Sequence, residues 1–77
     1  MERQMIQIVQ KLNDFKVCKE CSRINFYENE QCINENCSSI GFFEDENHVQ
    51  HKVNLEYKFY HDEGYSEDEI DEIEILV

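Results

Sequence analysis

VCKECSRINFYENEQCINENC, residues 17–37, holds all four cysteines of a 77-residue chain. They fall in two close pairs, Cys18/Cys21 and Cys32/Cys37, in the order C-x2-C, ten residues, C-x4-C. Both inner spacings match the paired thiolate ligands of structural zinc sites. Two residues between sulfurs make one tight turn around an ion, and four make a looser one. Ten residues between the pairs let a short hairpin fold the second pair back onto the first. Four thiolates complete a tetrahedral shell and leave no position open for substrate or activated water. The expectation is therefore one structural zinc held by Cys18, Cys21, Cys32 and Cys37. Two disulfides, free core thiols or a C-x-x-C redox site are the alternatives. The redox site would want a βαβ context that this pattern does not supply.

Chain length makes such a staple welcome. A chain of this size buries only about 60% of its unfolded surface, and small domains often carry a metal or disulfides. A single domain over residues 1–77 is expected, with the metal knuckles at 17–43 and an acidic C-terminal segment at 61–77. The first residues, Met-Glu-Arg-Gln, show no basic segment leading into an apolar stretch, so no secretory leader is expected. No apolar run approaches the ~18 residues of a membrane span. A cytoplasmic location follows as an expectation, and there thiols stay reduced, which favours metal over disulfides.

Charge is the second strong signal. The net charge is −11. Residues 1–43 carry −1 of it and residues 44–77 carry −10, with only Lys52 and Lys58 against twelve acids in the second half. Such a segment is repelled by nucleic acid and anionic membranes and attracted to basic protein surfaces.

The remaining elements are read from periodicity. Met5, Ile8, Val9 and Leu12 fall at i, i+3, i+4 and i+7, which predicts a helix over residues 2–13 ending near Asn13-Asp14. Ile24–Tyr27 and Ser39–Phe43 read as short strands, and Glu44–Asn47 as a turn. From Val49 to Phe59, odd-numbered Val49, His51, Val53, Leu55, Tyr57 and Phe59 alternate with mostly polar neighbours. That period predicts a long half-buried strand over 48–60, its odd face toward the core, paired with 39–43 as a hairpin. Ser66-Glu-Asp-Glu69 matches a capping box that would start a short helix. Ile73, Ile75 and Val77 alternate, so an extended tail competes with that helix.

The two knuckles resemble the zinc-ribbon family, in which cysteine pairs at the tips of β-hairpins share one zinc. The resemblance is one of spacing and covers residues 17–43. Ser22 and Ser38 stand where many such knuckles carry glycine, and the second knuckle is two residues longer than usual. The resemblance implies a structural metal and a place in, or alongside, transcription and translation machinery.

Other candidates are weaker. With four thiolates the shell is full, so His48, His51 and His61 are not expected as ligands. Glu44-Asp45-Glu46 and Asp62-Glu63 lack the ligand ladder of a calcium loop. No nucleophile-and-base pair or pocket is indicated, and no enzyme is expected. The fold expected is α+β: a small four-cysteine zinc ribbon with an antiparallel sheet, an N-terminal helix and an acidic C-terminal segment. The function expected is binding and regulation, as an inhibitor, of a basic nucleic-acid-handling partner such as RNA polymerase or a transcription factor. Glu67, Asp68, Glu69, Asp71 and Glu72 are the expected contact residues. The residue usage favours AT-rich codons, which with the small size suits a phage or bacterial regulator. The alternative is a ribbon that binds nucleic acid directly through Lys16, Lys19, Arg23, Phe26 and Tyr27, or a small structural subunit.

Overall fold

Phe15-Lys-Val-Cys18 forms the central strand, and all four of its residues are buried. The computed structural model describes residues 1–37 and 39–77. Ser38, one of the two positions compared above with knuckle glycines, lies outside them. The central strand, β2 (Phe15–Cys18), pairs antiparallel with β3 (Ile24–Phe26) on one side and β4 (Phe42–Phe43) on the other. A second, two-stranded antiparallel sheet joins β1 (Glu2–Gln4) to β5 (Glu74–Leu76). With helices α1 (Met5–Gln10), α2 (Glu46–Asp62) and α3 (Glu67–Asp71), the fold is α+β, with the four cysteines clustered close together.

Residues 48–60 are helix, not strand. They lie inside the 17-residue α2, and the hairpin expected with 39–43 is not formed; β4 pairs with β2 instead. The alternation misleads for a geometric reason. Odd positions at spacing four share one helix face, and the odd positions between them share the opposite face. Val49 and Val53 are buried, with Tyr57 packed beside them, while Leu55 is 49% and Phe59 58% exposed. The residues expected as a turn at 44–47 carry the start of the helix. Asp45 is its N-cap, its side chain accepting the His48 N–H at 3.3 Å. An acid at the cap and Glu46 in the first turn suit the positive end of the helix dipole. No glycine or proline interrupts the segment.

The two ends of the chain are woven together. The expected N-terminal helix is shortened to α1 because Glu2–Gln4 pair with β5, with Arg3 opposite Ile75. Met5 and Ile8 of that helix are fully buried. Both readings of the C-terminal segment hold, one after the other. Ser66 and Glu69 form the capping box of α3, and the extended tail follows as β5. The Val77 N–H bonds Met1 O at 2.9 Å, and Val77 O accepts the Phe26 N–H at 3.0 Å, linking the small sheet to the larger one. The core is one cluster: Met5, Ile8, Phe15, Val17, Ile24, Val49, Val53, Ile70 and Val77. Ile70 is the buried anchor of the otherwise acidic α3. Each such side chain contributes roughly 1.5–3 kcal/mol by leaving water.

Candidate metal centre

Cys18 is the last residue of β2, and the chain turns back immediately. Its N–H donates to Arg23 O at 3.0 Å and its carbonyl accepts the Ser22 N–H at 3.0 Å. Closing this turn places Ser22 at φ +62°, the left-handed region where a side chain is disfavoured. That is the physical reason a glycine suits this position. The second knuckle turns more loosely. The Cys32 N–H donates to Ser39 O at 2.8 Å and the Cys37 N–H to Asn34 O at 2.9 Å. Asn34 Oδ1 also accepts the Asn36 N–H at 3.1 Å, which tightens the four-residue loop.

These turns bring the four Sγ atoms within 4.8 Å of one another. Cys18 and Cys37 sulfurs are 3.6 Å apart, and those of Cys21 and Cys32 3.5 Å. All four cysteines are free, with separations far beyond the ~2.05 Å of a disulfide. An ion with four sulfurs at about 2.3 Å would place them about 3.8 Å apart along each tetrahedral edge. The cluster fits a metal of that coordination and is made of the donor type that zinc prefers. Among the described residues no histidine joins the group. His48 is held elsewhere, stacked on Phe43 at 4.1 Å with its Nδ1 2.5 Å from Asp45 Oδ1.

The electrostatics of the bare thiols point the same way. Burial pushes the Cys18 thiol up, but N–H groups of Cys21 and Glu20 and the thiols of Cys37 and Cys21 outweigh it and bring it down to about 6. The Glu20 N–H lies 3.4 Å from Cys18 Sγ. Cys37 is eased by the Ser39 backbone, yet burial and the neighbouring Cys18 and Cys21 sulfurs push it up to about 12. Burial also raises Cys32. One thiolate forms readily and opposes the next, so four together need a cation among them.

Asn25 holds the two knuckles in register. It is fully buried in β3. Its Oδ1 accepts the Ile33 N–H at 2.7 Å, and its Nδ2 donates to Arg23 O at 3.0 Å and approaches Cys32 Sγ at 3.6 Å. Sequence reasoning passed over this residue. Its only trace is a polar side chain between Ile24 and Phe26 in an apolar run.

Of the basic and aromatic residues named for nucleic-acid binding, Lys16 is buried, Arg23 and Phe26 are partly buried, and Lys19 and Tyr27 are exposed. Lys16 is buried; its Nζ donates to Asn29 O at 2.5 Å and sits 4.0 Å from the Phe42 ring centroid. Lys19 lies 5.3 Å from the Phe43 ring, and Phe26 stacks on Phe15 at 5.3 Å beneath Arg3. Arg23 reaches Leu76 O at 3.5 Å, and Tyr27 donates to Glu44 at 3.4 Å. The acidic residues divide differently. Glu69 is consumed by the cap and Asp71 accepts the Tyr57 hydroxyl, whereas Glu67, Asp68 and Glu72 are exposed. Among the described residues the ion pairs are His48–Asp45 and Lys52–Glu56. Among the described residues no helix is long and apolar enough to cross a membrane.

Comparison with known proteins gives no relative: no family model, no curated protein and no solved structure matches the chain.

Proposed function

We propose that this is a non-enzymatic, zinc-stapled protein of zinc-ribbon type that binds a basic, nucleic-acid-handling protein through its acidic C-terminal segment and inhibits it. One zinc on Cys18, Cys21, Cys32 and Cys37 serves as the staple of a small core. The observation that carries the reading is the segregated charge: −10 in residues 44–77, with Glu67, Asp68 and Glu72 left exposed and without an ion pair among the described residues. An excess of this size goes beyond what solubility requires of a small domain. It matches a surface that steers toward a positive patch, and such a surface competes with DNA or RNA for that patch. Support also comes from the fate of the alternative patch, where Lys16 is buried and Phe26 is stacked on Phe15, although Tyr27 stays 45% exposed. The size and the residue usage, rich in amino acids with AT-rich codons, suit a phage or bacterial origin.

The test neutralises Glu67, Asp68, Glu69, Asp71 and Glu72 together to their amides. Gln at 69 keeps the capping box, so metal content and circular dichroism should not change. Capture of the nucleic-acid-handling partner from host lysate should be salt-sensitive and lost in the variant. Micromolar DNA or RNA binding by the unmodified protein at physiological salt, lost on replacing Lys19 and Arg23, would overturn the reading in favour of direct nucleic-acid binding.

A further inference from the structure

Three helices meet around a groove of about 590 Å³. Helix α1 lines it with Ile6 and Val9, α2 with Val53 and Tyr57, and α3 with Glu67 and Asp71. Apolar surface therefore runs up to two carboxylates. Both carboxylates bear on one point. The Tyr57 hydroxyl donates to Asp71 Oδ1, and burial, that hydrogen bond and the charges of Asp71 and Glu67 all raise its proton affinity. Tyr57 thus stays a donor and occupies one oxygen of Asp71. Asp71 Oδ2 and both oxygens of Glu67 take no hydrogen bond among the described residues. Lys58 and His61 border the groove, yet neither pairs with a carboxylate within 4.0 Å among the described residues.

We infer that this groove takes an arginine side chain from a basic protein partner, its aliphatic stem along Ile6, Val9 and the Tyr57 ring and its guanidinium between Glu67 and Asp71. This rests on the reading that the acidic segment docks a basic protein, and it names the chemistry of that contact. Charge complementarity selects the occupant: the carboxylate pair has no cation of its own, and the surrounding half of the chain is strongly negative. Geometry selects arginine over lysine. A planar guanidinium can engage two acceptors at once and lie on an aromatic face, while an ammonium is a compact, strongly hydrated charge. The long stem of such a side chain readily packs on apolar surface with its head at a polar rim.

The probe is N-acetyl-L-arginine amide, titrated into the zinc-loaded full chain and followed by amide chemical shifts, with the lysine and citrulline amides alongside. Arginine should give saturable shifts confined to residues around Ile6, Val9, Tyr57, Glu67 and Asp71. Lysine should bind more weakly, and citrulline, which keeps the shape and loses the charge, should give no saturable response. Glu67→Gln, an exposed change that leaves the Tyr57–Asp71 contact in place, should weaken the arginine response roughly two- to five-fold, the range for a partly exposed ion pair. Shifts spread over all acidic residues, an equal response to citrulline, or no effect of Glu67→Gln would overturn the groove. The outcome is separable from that of the docking reading. Loss of partner capture in the five-residue variant with no arginine response removes the groove alone. An arginine response with no partner to capture removes the regulatory reading alone.

Discussion

Asn25 Oδ1 accepts the Ile33 N–H at 2.7 Å, so a buried amide of β3 fixes the backbone of the second knuckle relative to the first. Its Nδ2 faces both Arg23 O and the Cys32 sulfur. Residues that orient ligands in this way commonly change metal affinity about 10–100-fold when removed. Asn25→Ala should weaken zinc binding by that order, measured by competition with a chromophoric chelator. An affinity unchanged within error would show that the knuckles are held by the backbone turns alone.

Metal should be inseparable from the fold. Purified under reducing conditions, the chain should carry one zinc, and chelation should unfold it, because binding energy in small metallodomains is largely folding energy. Elemental analysis of native, folded protein decides this: folded protein without metal would refute it. Cys18→Ser should destabilise by several kcal/mol, at the upper end of single-substitution effects.

Acid should strip the metal at a defined point. In the metal-free chain the Cys18 value lies below its ordinary 9.0, at about 6. The contribution of that depressed group to stability is complete above the ordinary value and is lost as pH falls through about 6. A bound cation holds the thiolate further down. Zinc release followed against pH should therefore be complete only below about 6, where the Cys18 thiolate too takes up its proton. Release already complete above pH 7, with Cys18 still a thiolate, would contradict that depressed value.

Val53 and Leu55 are two residues apart and have opposite fates, one buried and the other half exposed. Val53→Asp should abolish cooperative folding, because it buries an unpaired charge. Leu55→Asp should change stability by no more than about 1 kcal/mol. Thermal denaturation of the two variants checks the helix directly, since a strand with that alternation would lose both equally.

Ser22 bears a left-handed backbone, φ +62°. A residue with a side chain is disfavoured there by roughly 1–2 kcal/mol relative to glycine, partly offset by the greater freedom glycine has when unfolded. Ser22→Gly should leave stability unchanged or raise it by up to about 1 kcal/mol, read from denaturant midpoints at constant zinc. A clear loss would mean that the serine side chain has a role beyond filling the turn.

The features legible in the sequence are those written within a few residues. The short spacing within each pair keeps Cys18 near Cys21 and Cys32 near Cys37, and two such thiolate pairs signal one shared ion, which the clustered sulfurs fit. The Ser66–Glu69 box is a contact between residues three apart and forms as read. The charge imbalance is a property of composition and is independent of fold. Tertiary structure decided the rest. Alternation over 48–60 serves a strand's one face or a helix's two opposite faces equally well, and only packing of Val49 and Val53 against the core selects between them. The N-terminal helix lost its first turn to a strand 70 residues away, since Glu2–Gln4 gain a backbone ladder with Glu74–Leu76. Asn25 became the hub of two knuckles, and the acidic run divided into a cap, a tyrosine partner and exposed charges. Each of these outcomes depends on which distant groups a side chain meets, and local spacing does not carry that information.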